Sequence, residues 1–243
     1  MDLEIVFFVL LAITALLYSS VGHGGASGYL ALMAIFAMAP EIMKSSALTL
    51  NLFVSATAFY SFYKNGHFKW SILVPLIIAS VPAAFIGAGV TINPKLYKLI
   101  LGLCLLIAIV RMLVVKSVKF DNIKKPSWAS LLLTGGVIGF LSGVIGIGGG
   151  IILSPLILLF RWANVKETAG ISALFIFLNS TAGIIGLNIS GLYATPNIAF
   201  WVIAVVIGGV IGSFLGSFKF SKNRVRYILA TVLLLASFKL FLF

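Results

Sequence analysis

Two short glycine-rich stretches are the parts of this chain whose residue types and spacing could do chemistry. The first is "SVGHGGASG" (20–28) and the second is "GVIGIGGGIILSP" (143–155). Each lies between apolar runs and is followed at once by a short one, so each predicts a break between two helices. A helix that begins after such a break directs free N–H groups and the positive end of its dipole at the break. Because such helix N-termini bind anions, the sequence predicts two anion-attracting turns.

Polar residues beside the two breaks supply the groups that an oxyanion needs. The predicted binding set combines backbone N–H groups of the turns with hydroxyl, amide and imidazole side chains near them. It comprises Ser20, Gly22, His23, Gly24, Gly25, Ser27, Thr49, Asn51, Gly146, Gly148, Gly149, Gly150, Ser172 and Asn179. His23 stands out because it titrates near neutral pH within an apolar region, where such residues are functional candidates. It could donate to the anion, carry a coupled proton or sense pH.

Each of these residue types also has a plainer interpretation, which the sequence leaves open. Glycines in membrane helices often serve close packing, and Gly139-x-x-x-Gly143 has the spacing of such a contact. Hydroxyl groups in membrane helices often bond their own backbone or a neighbouring helix. His23 could bond a carbonyl freed at the turn. The duplication of the cluster, each time before a short apolar run, favours a binding site.

The elements that must position these residues are ten apolar runs. They cover residues 5–21, 26–39, 44–63, 70–91, 95–115, 127–145, 149–160, 167–187, 196–218 and 225–243. A bilayer core of about 30 Å takes about 20 helical residues, and most runs have that length. The runs at 26–39 and 149–160 are shorter and directly follow the glycines. We therefore expect a hairpin of two helices or half-helices at 5–39 and another at 127–160.

The chain reads as a tandem repeat. The glycines at 22, 24 and 25 recur 124 positions later, "PAAFIGA" (82–88) matches "IGSFLGS" (211–217), and Thr49 and Ser172 correspond at a shift of 123. This predicts an all-α polytopic membrane protein with a first transmembrane repeat at 1–115, a basic cytoplasmic linker at 116–126 and a second repeat at 127–243. Because each repeat has five runs, an odd number, the repeats should be inverted, as in many secondary transporters. The two glycine-broken hairpins should then meet near the midplane.

The basic residues are distributed as an inverted repeat requires. If the connectors at 64–69, 111–125, 161–166 and 219–226 are cytoplasmic, they hold 13 of the 17 Lys and Arg residues. This bias obeys the positive-inside rule and requires both termini outside. We therefore expect a multi-pass protein of the inner, or plasma, membrane.

Composition excludes several classes of protein. The chain is 61% hydrophobic and 9% charged, whereas soluble domains are about 25% charged, so a soluble globule is excluded. The net charge of +12 does not indicate nucleic-acid binding, because the basic residues lie in separate connectors. The single cysteine, Cys104, excludes an intrachain disulfide and a multi-Cys zinc site, and no metal or cofactor is expected. No Asp or Glu lies deep in an apolar run, so a carboxylate proton relay is not expected.

The two glycine turns, each followed by a short apolar helix, resemble the TauE/SafE (sulfite exporter) family. The nearest match is "GIGGGIILSP", with Pro155 after the glycines, and "ETAGISALFIFLNSTAGIIG" (167–186) is similar to the second-half pattern. The first half departs from that pattern with Ala26 in place of a third glycine and His23 in place of an apolar residue. The resemblance implies a transporter that moves small sulfur-containing anions, such as sulfite or organosulfonates, usually outward.

The predicted function is therefore a secondary transporter or uniporter that exports small sulfur-containing anions by alternating access. Its partners would be the anion and the lipid bilayer, and a homodimer is left open. A passive anion channel is the first alternative. An intramembrane serine hydrolase is the second, because "GASG" (25–28) has the G-x-S-G form, with Ser27 as nucleophile and His23 or His67 as base. That alternative is weaker, since glycines separate His23 from Ser27 and the second half has no Ser-His equivalent.

Overall fold

A computed structural model of the chain describes residues 3–20, 24–114, 123–189 and 197–218, together with four isolated positions near the C-terminus. The described residues form nine helices and contain no strand. The helices are α1 (Leu3–Ser20), α2 (Ala26–Ile35), α3 (Pro40–Lys64), α4 (Trp70–Gly89), α5 (Pro94–Val114), α6 (Trp128–Ile145), α7 (Gly150–Leu159), α8 (Val165–Ile189) and α9 (Ile198–Phe218). The predicted run at 225–243 lies outside the described residues, apart from those isolated positions.

Several of these helices suit a bilayer. By length and composition, α3, α4, α6 and α8 are long and apolar enough to cross a membrane. Large apolar side chains face outward on the same elements, among them Ile78 on α4 and Leu133 on α6, which are 54% and 71% exposed. Lipid tolerates such surfaces, and helices satisfy their own backbone groups within it. The prediction of an all-α, multi-pass membrane protein is confirmed at this level.

The helix lengths recur in order along the chain. α1 and α6 have 18 residues each, α2 and α7 have 10, α3 and α8 have 25, and α4 and α9 have 20 and 21. When α3 and α8 are aligned end to end, Thr49 corresponds to Leu174, and Ser172 corresponds to Ala47. The predicted pairing of Thr49 with Ser172 is therefore wrong by two residues.

The first two helices form a hairpin that turns at the first glycine cluster. The hydroxyl of Tyr18 at the end of α1 lies 2.8 Å from that of Ser27 at the start of α2. At the other end, the rings of Phe7 and Phe36 are 5.0 Å apart. The ten residues of α2 span about 15 Å, which is half the thickness of a bilayer core. α6 and α7 are separated in the same way at the second cluster, so both helix breaks fall where the sequence predicts them.

Two pairs of helices pack so closely that backbone meets backbone. A Cβ atom on Gly139 of α6 would overlap the carbonyl oxygen of Ser80 on α4, and one on Gly208 of α9 would overlap that of Ala12 on α1. In both pairs, contacts that lie further along one helix also lie further along the other, so the two helices of each pair are parallel. Gly139 therefore has the packing role that its spacing indicates.

The two long helices α3 and α8 cross the centre of the molecule and run antiparallel. Leu48 near the start of α3 packs on Gly183 near the end of α8, and Phe62 near the end of α3 packs on Gly170 near the start of α8. Both helices are largely buried, because described residues of other helices pack around them.

Candidate functional site

The two glycine turns have the same backbone conformation where the short helices begin. Gly25 is the N-cap of α2 with φ 89° and ψ −7°, and Gly149 is the N-cap of α7 with φ 77° and ψ −15°. A positive φ is costly for residues with a side chain, which explains why glycine occupies both places. Neither helix has a side-chain cap, so no N-cap side chain covers its first N–H groups.

The two turns meet on one amide side chain, that of Asn51. A Cβ atom on Gly24 would lie 2.9 Å from Asn51 Oδ1, and one on Gly148 would overlap Asn51 Nδ2. The same nitrogen donates to the carbonyl of Ile147 between the glycines of the second turn, at 3.4 Å. Asn51 is fully buried at the middle of α3. It therefore bridges two turns that are more than a hundred residues apart in sequence.

Ile176 of α8 mirrors Asn51. It occupies the same place in α8 that Asn51 occupies in α3, and its Cγ2 lies 3.1 Å and 3.0 Å from the Cβ positions of Gly24 and Gly148. Each turn thus touches the midpoints of both long helices. One of those midpoints is polar and the other is apolar, so the two long helices contribute different groups at this place.

A small cavity lies between the two turns. It has a volume of about 10 Å³, which is room for about one water molecule. Its walls include Tyr18, Gly24, Ser27, Asn51, Ile147 and Ile176. A sulfur oxyanion is larger than one water, so this conformation is closed around the site. Among the described residues, the walls carry no charged side chain, and their polar groups are neutral hydroxyls, an amide and backbone.

Several polar atoms at the first turn are short of partners. Asn51 Oδ1 and Tyr29 Oη are buried and have no hydrogen-bond partner among the described residues. The ring of Tyr29 packs directly over Gly25 at the start of α2. A flip of the amide plane would turn the N–H groups of Asn51 to where Oδ1 now points. Buried polar groups usually find a partner, so a polar ligand at this turn would satisfy groups that the protein leaves open.

Sequence reasoning missed both tyrosines, Tyr18 and Tyr29. Tyr18 pairs with Ser27 in the cavity wall, and Tyr29 lies one helical turn beyond Gly25. The usable signal was their place in apolar runs directly beside the glycines, because a buried phenol needs a hydrogen-bond partner.

The second turn has its own polar cluster. Ser154 Oγ lies 2.9 Å from the carbonyl oxygen of Gly150 and 2.7 Å from the hydroxyl of Ser172. Ser180 Oγ lies 3.1 Å from the Cβ position of Gly148, and the hydroxyls of Ser180 and Ser142 are buried without a described partner. Ser172 therefore supports the first turn of α7 through Ser154, while Ser180, which is not in the predicted binding set, lies closer to the glycines.

The remaining predicted site residues lie elsewhere or outside the described part. Thr49 is half-buried and donates to the carbonyl of Ser45 on its own helix. Asn179 donates to Ser80 of α4 and to the carbonyl of Phe175, which ties α8 to α4. The side chain of Ser20 and the whole of Gly22 and His23 fall outside the described residues.

The groups proposed for a serine hydrolase are separated where the structure describes them. Ser27 Oγ is paired with the phenol of Tyr18 inside the bundle. His67 lies in the connector between α3 and α4, where its carbonyl packs against Gly170 at the start of α8. A nucleophile needs its base within hydrogen-bond reach, and His67 does not meet that condition.

Comparison with known proteins gives one family. The model of the family "Sulfite exporter TauE/SafE" matches residues 6–240. A probable membrane transporter protein of Sinorhizobium fredii is 40% identical over 243 residues, covering 98% of this chain and 96% of the relative. A probable membrane transporter protein of Methanocaldococcus jannaschii is 27% identical over 154 residues, covering 60% of this chain and 57% of the relative. No solved structure matches the chain.

Proposed function

This chain belongs to the TauE/SafE family of sulfite exporters, and from that premise we propose that it exports small sulfur-containing anions, such as sulfite or an organosulfonate, by alternating access. It is a multi-pass membrane transporter by family and by its apolar helices. The observation that carries the proposal is the meeting of two uncapped helix N-termini on Asn51 at the centre of the bundle.

The chemistry of this centre favours an anion. Helix N-termini present N–H donors and a partial positive charge, and Tyr18, Tyr29 and Ser27 add neutral hydroxyls beside the first of them. The described acidic side chains, Glu4, Glu41 and Glu167, lie in the first turns of α1, α3 and α8, away from the glycines. An oxyanion would meet donors here and no competing carboxylate.

Helix directions support two inverted repeats. Because α1 and α2 form a hairpin, α3 begins at the face where α1 begins. α4 runs back and begins at the opposite face, and α6, which is parallel to α4, begins there too. The first helix of each half would then enter from opposite faces, with the repeats at 1–115 and 127–243 joined by the basic segment 116–126.

One end of the bundle is rich in basic residues, which supports the proposed orientation. The backbone N–H of Lys124 donates to the carbonyl of Arg161 at 2.9 Å, and Lys69 forms an ion pair with Glu167 at 2.9 Å. These contacts join the connectors before α4, α6 and α8 at one face. By the positive-inside rule that face is cytoplasmic, which puts both termini outside the inner, or plasma, membrane.

The closed cavity supports a carrier over a channel. A channel needs a continuous water-filled path, whereas the space between the two turns holds about one water. Two similar hairpins facing one centre from opposite sides could open it alternately. Export of an anion from a cell that is negative inside gains about 2.3 kcal/mol per charge per 100 mV, so the membrane potential alone suffices as a driving force.

Counterflow of labelled sulfite and methanesulfonate in proteoliposomes tests the proposal. We expect saturable counterflow, and net efflux that is faster when the voltage favours anion exit. Both should be abolished by Gly149→Ala, which places a Cβ at a positive φ against Phe175. Gly136→Ala is the matched control, because its Cβ would meet only the Cβ of Ala79 at 3.8 Å. Flux that does not saturate would establish the channel instead, and no flux of any sulfur anion would remove this substrate class.

A further inference from the structure

A buried lysine near the glycine turns has no role in the site described above. Of the Lys and Arg side chains whose burial the structure describes, only Lys44 is buried, with 6% of its surface exposed. Its Nζ donates to the carbonyl of Ala88 in the last turn of α4, at 2.7 Å. The ion pair of the described residues is that of Lys69 with Glu167, so no described carboxylate neutralises Lys44.

Capping α4 does not by itself account for a full charge at this place. The carbonyls of a last helical turn lack intrahelical donors, and a side-chain donor there is favourable. The dipole of α4 also favours a cation at its last turn, but that gain is small beside the cost of burying an ammonium without a counter-charge. Charged residues within membrane-spanning segments are functional candidates for this reason. The charge of Lys44 therefore points to an anion as its partner.

Lys44 lies on a direct line from the proposed anion site to one face of the molecule. It precedes Asn51 by seven residues on α3, which puts both side chains on the same side of the helix about 10 Å apart along its axis. Lys44 is also close to the face where α3 begins, since α3 starts at Pro40. An anion that leaves Asn51 toward that face passes the ammonium.

The second glycine turn covers Lys44. A Cβ atom on Gly146, the residue that ends α6, would lie 3.0 Å from both Cα and Cγ of Lys44. The lysine stem is therefore held between α3 and the end of the α6 helix. If the α6–α7 hairpin moved away from α3, the ammonium would be uncovered toward the Asn51 site.

The charge belongs to one half of the molecule only. When α3 and α8 are aligned end to end, the place of Lys44 is taken by Ala169, which is buried and apolar. The routes that the two halves provide between the centre and the two faces therefore differ chemically, because only one of them has an ammonium at this position.

We propose that Lys44 is the anion contact on the route between Asn51 and the face where α3 begins, exposed when the α6–α7 hairpin moves and releases it from Ala88. This inference rests on the proposed function, since it names a second binding position for the same anion. It assigns the charge-dependent step to one face, which is the outer face in the proposed orientation.

Lys44→Gln is the decisive variant, because glutamine keeps a hydrogen-bond donor, on a stem one bond shorter, while lacking the charge. Sulfite transport is measured in right-side-out and inside-out membrane vesicles, which present opposite faces. We expect Lys44→Gln to raise the half-saturating sulfite concentration about tenfold at the face where α3 begins, from the loss of a charge-assisted hydrogen bond, and less than about twofold at the other face. Lys44→Arg should stay close to wild type, and so should Lys95→Met, which removes an exposed charge at the same end.

Equal changes at both faces, or no change in Lys44→Gln, would overturn the assignment and leave Lys44 as a cap of α4. A second measurement separates this outcome from failure of the proposed function. The midpoint of thermal unfolding is recorded for wild type and Lys44→Gln with sodium sulfite, sulfate, methanesulfonate or gluconate at equal ionic strength. If wild type transports no sulfur anion but an anion stabilises it and not Lys44→Gln, the transport proposal fails and the Lys44 site stands. Equal responses of both proteins to every anion would refute the site.

Discussion

Asn51 is a polar side chain that contacts both glycine turns, and its counterpart on the other long helix, Ile176, contacts both turns with an apolar side chain. The two similar halves therefore contribute unequally to the centre. A carrier with one substrate site needs only one such polar group, and the other half can supply shape. Substitutions at the two positions should accordingly differ in kind, with Asn51 governing binding and Ile176 governing the size of the site.

Asn51→Leu should reduce sulfite transport at low substrate concentration about tenfold or more, because it removes a hydrogen-bonding group that meets a charged ligand. Thr49→Val is the matched control, since the Thr49 hydroxyl bonds the carbonyl of Ser45 on its own helix. Its transport should stay within about twofold of wild type, because such local bonds add little to binding. Initial rates in proteoliposomes, with unfolding midpoints for both variants, check this. Equal losses in the two variants would show that Asn51 is no part of the site.

Gly149→Ala should destabilise the second turn. A left-handed conformation costs a residue with a side chain about 1–2 kcal/mol, and the new Cβ would lie 2.8 Å from Phe175 and 2.9 Å from Ile138. Gly136→Ala should be neutral or stabilising, since alanine is favoured over glycine within a helix by about 0.5–1 kcal/mol. Thermal unfolding in detergent compares the two, and an unchanged midpoint for Gly149→Ala would contradict the strain argument.

For individual residues, the sequence predicted the positions of the glycine turns but not all of the side chains that contact them. Glycine clusters are visible in one dimension, so Gly24, Gly25, Gly148 and Gly149 could be singled out. Tyr29 and Lys44 could not, because their significance depends on what packs over them: Gly25 in one case, Gly146 and Ala88 in the other. Contacts across the bundle have no local signature in a single sequence.

The two parallel helix pairs, α4–α6 and α1–α9, hold the two halves of the molecule in close contact. In both pairs glycine allows one backbone to touch another, and backbone atoms have no freedom to move aside. These interfaces are therefore rigid, and each pair should move as one unit against the long helices α3 and α8.

Gly139→Ala and Gly208→Ala should each destabilise the protein by about 1–3 kcal/mol through overpacking against backbone. The neighbouring variants Gly136→Ala and Gly209→Ala should have little effect, because their Cβ atoms would make only ordinary contacts of 3.8 Å and 3.6 Å. Each tight glycine thus has a sequence neighbour with room for a Cβ atom, and thermal unfolding compares the two. Similar midpoints for all four variants would mean that these helix pairs do not pack as described.

Helix existence was predictable, and helix limits were less so. The apolar run at 44–63 missed the first turn of α3, which starts with Pro40 and Glu41. Proline suits the first helical position and an acid suits the positive end of the dipole, but neither adds hydropathy. The pairing of Thr49 with Ser172 erred for a related reason, because matching residue types without helix limits leaves the register free.

For the molecule as a whole, the inverted arrangement predicts which connectors share a face. In a Cys104→Ala background, Asn65→Cys and Ile123→Cys should react with a membrane-impermeant thiol reagent from the same side. Thr91→Cys, in the connector between α4 and α5, should react from the other side. Labelling of intact cells and of inside-out vesicles distinguishes the sides. Asn65→Cys and Ile123→Cys on opposite sides would rule out the proposed inversion.

Membrane character and repetition were visible in composition and spacing, whereas the way the halves interleave was not. Nothing in the sequence indicated that α1 packs on α9, or that α6 packs on α4 rather than on a helix of its own half. Such pairings depend on complementary surfaces of separate helices, and small residues occur on many of them.

The pairing of α1 with α9 bears on how the protein is made. Gly208 and Gly212 contact the backbone of Ala12 and Leu16, residues of a helix that is synthesised long before α9. The face of α1 that packs on α9 must therefore remain in lipid without that partner until α9 is inserted. A nascent chain halted after α5 would still expose this face, so the contact between α1 and α9 forms only after α9 has left the ribosome.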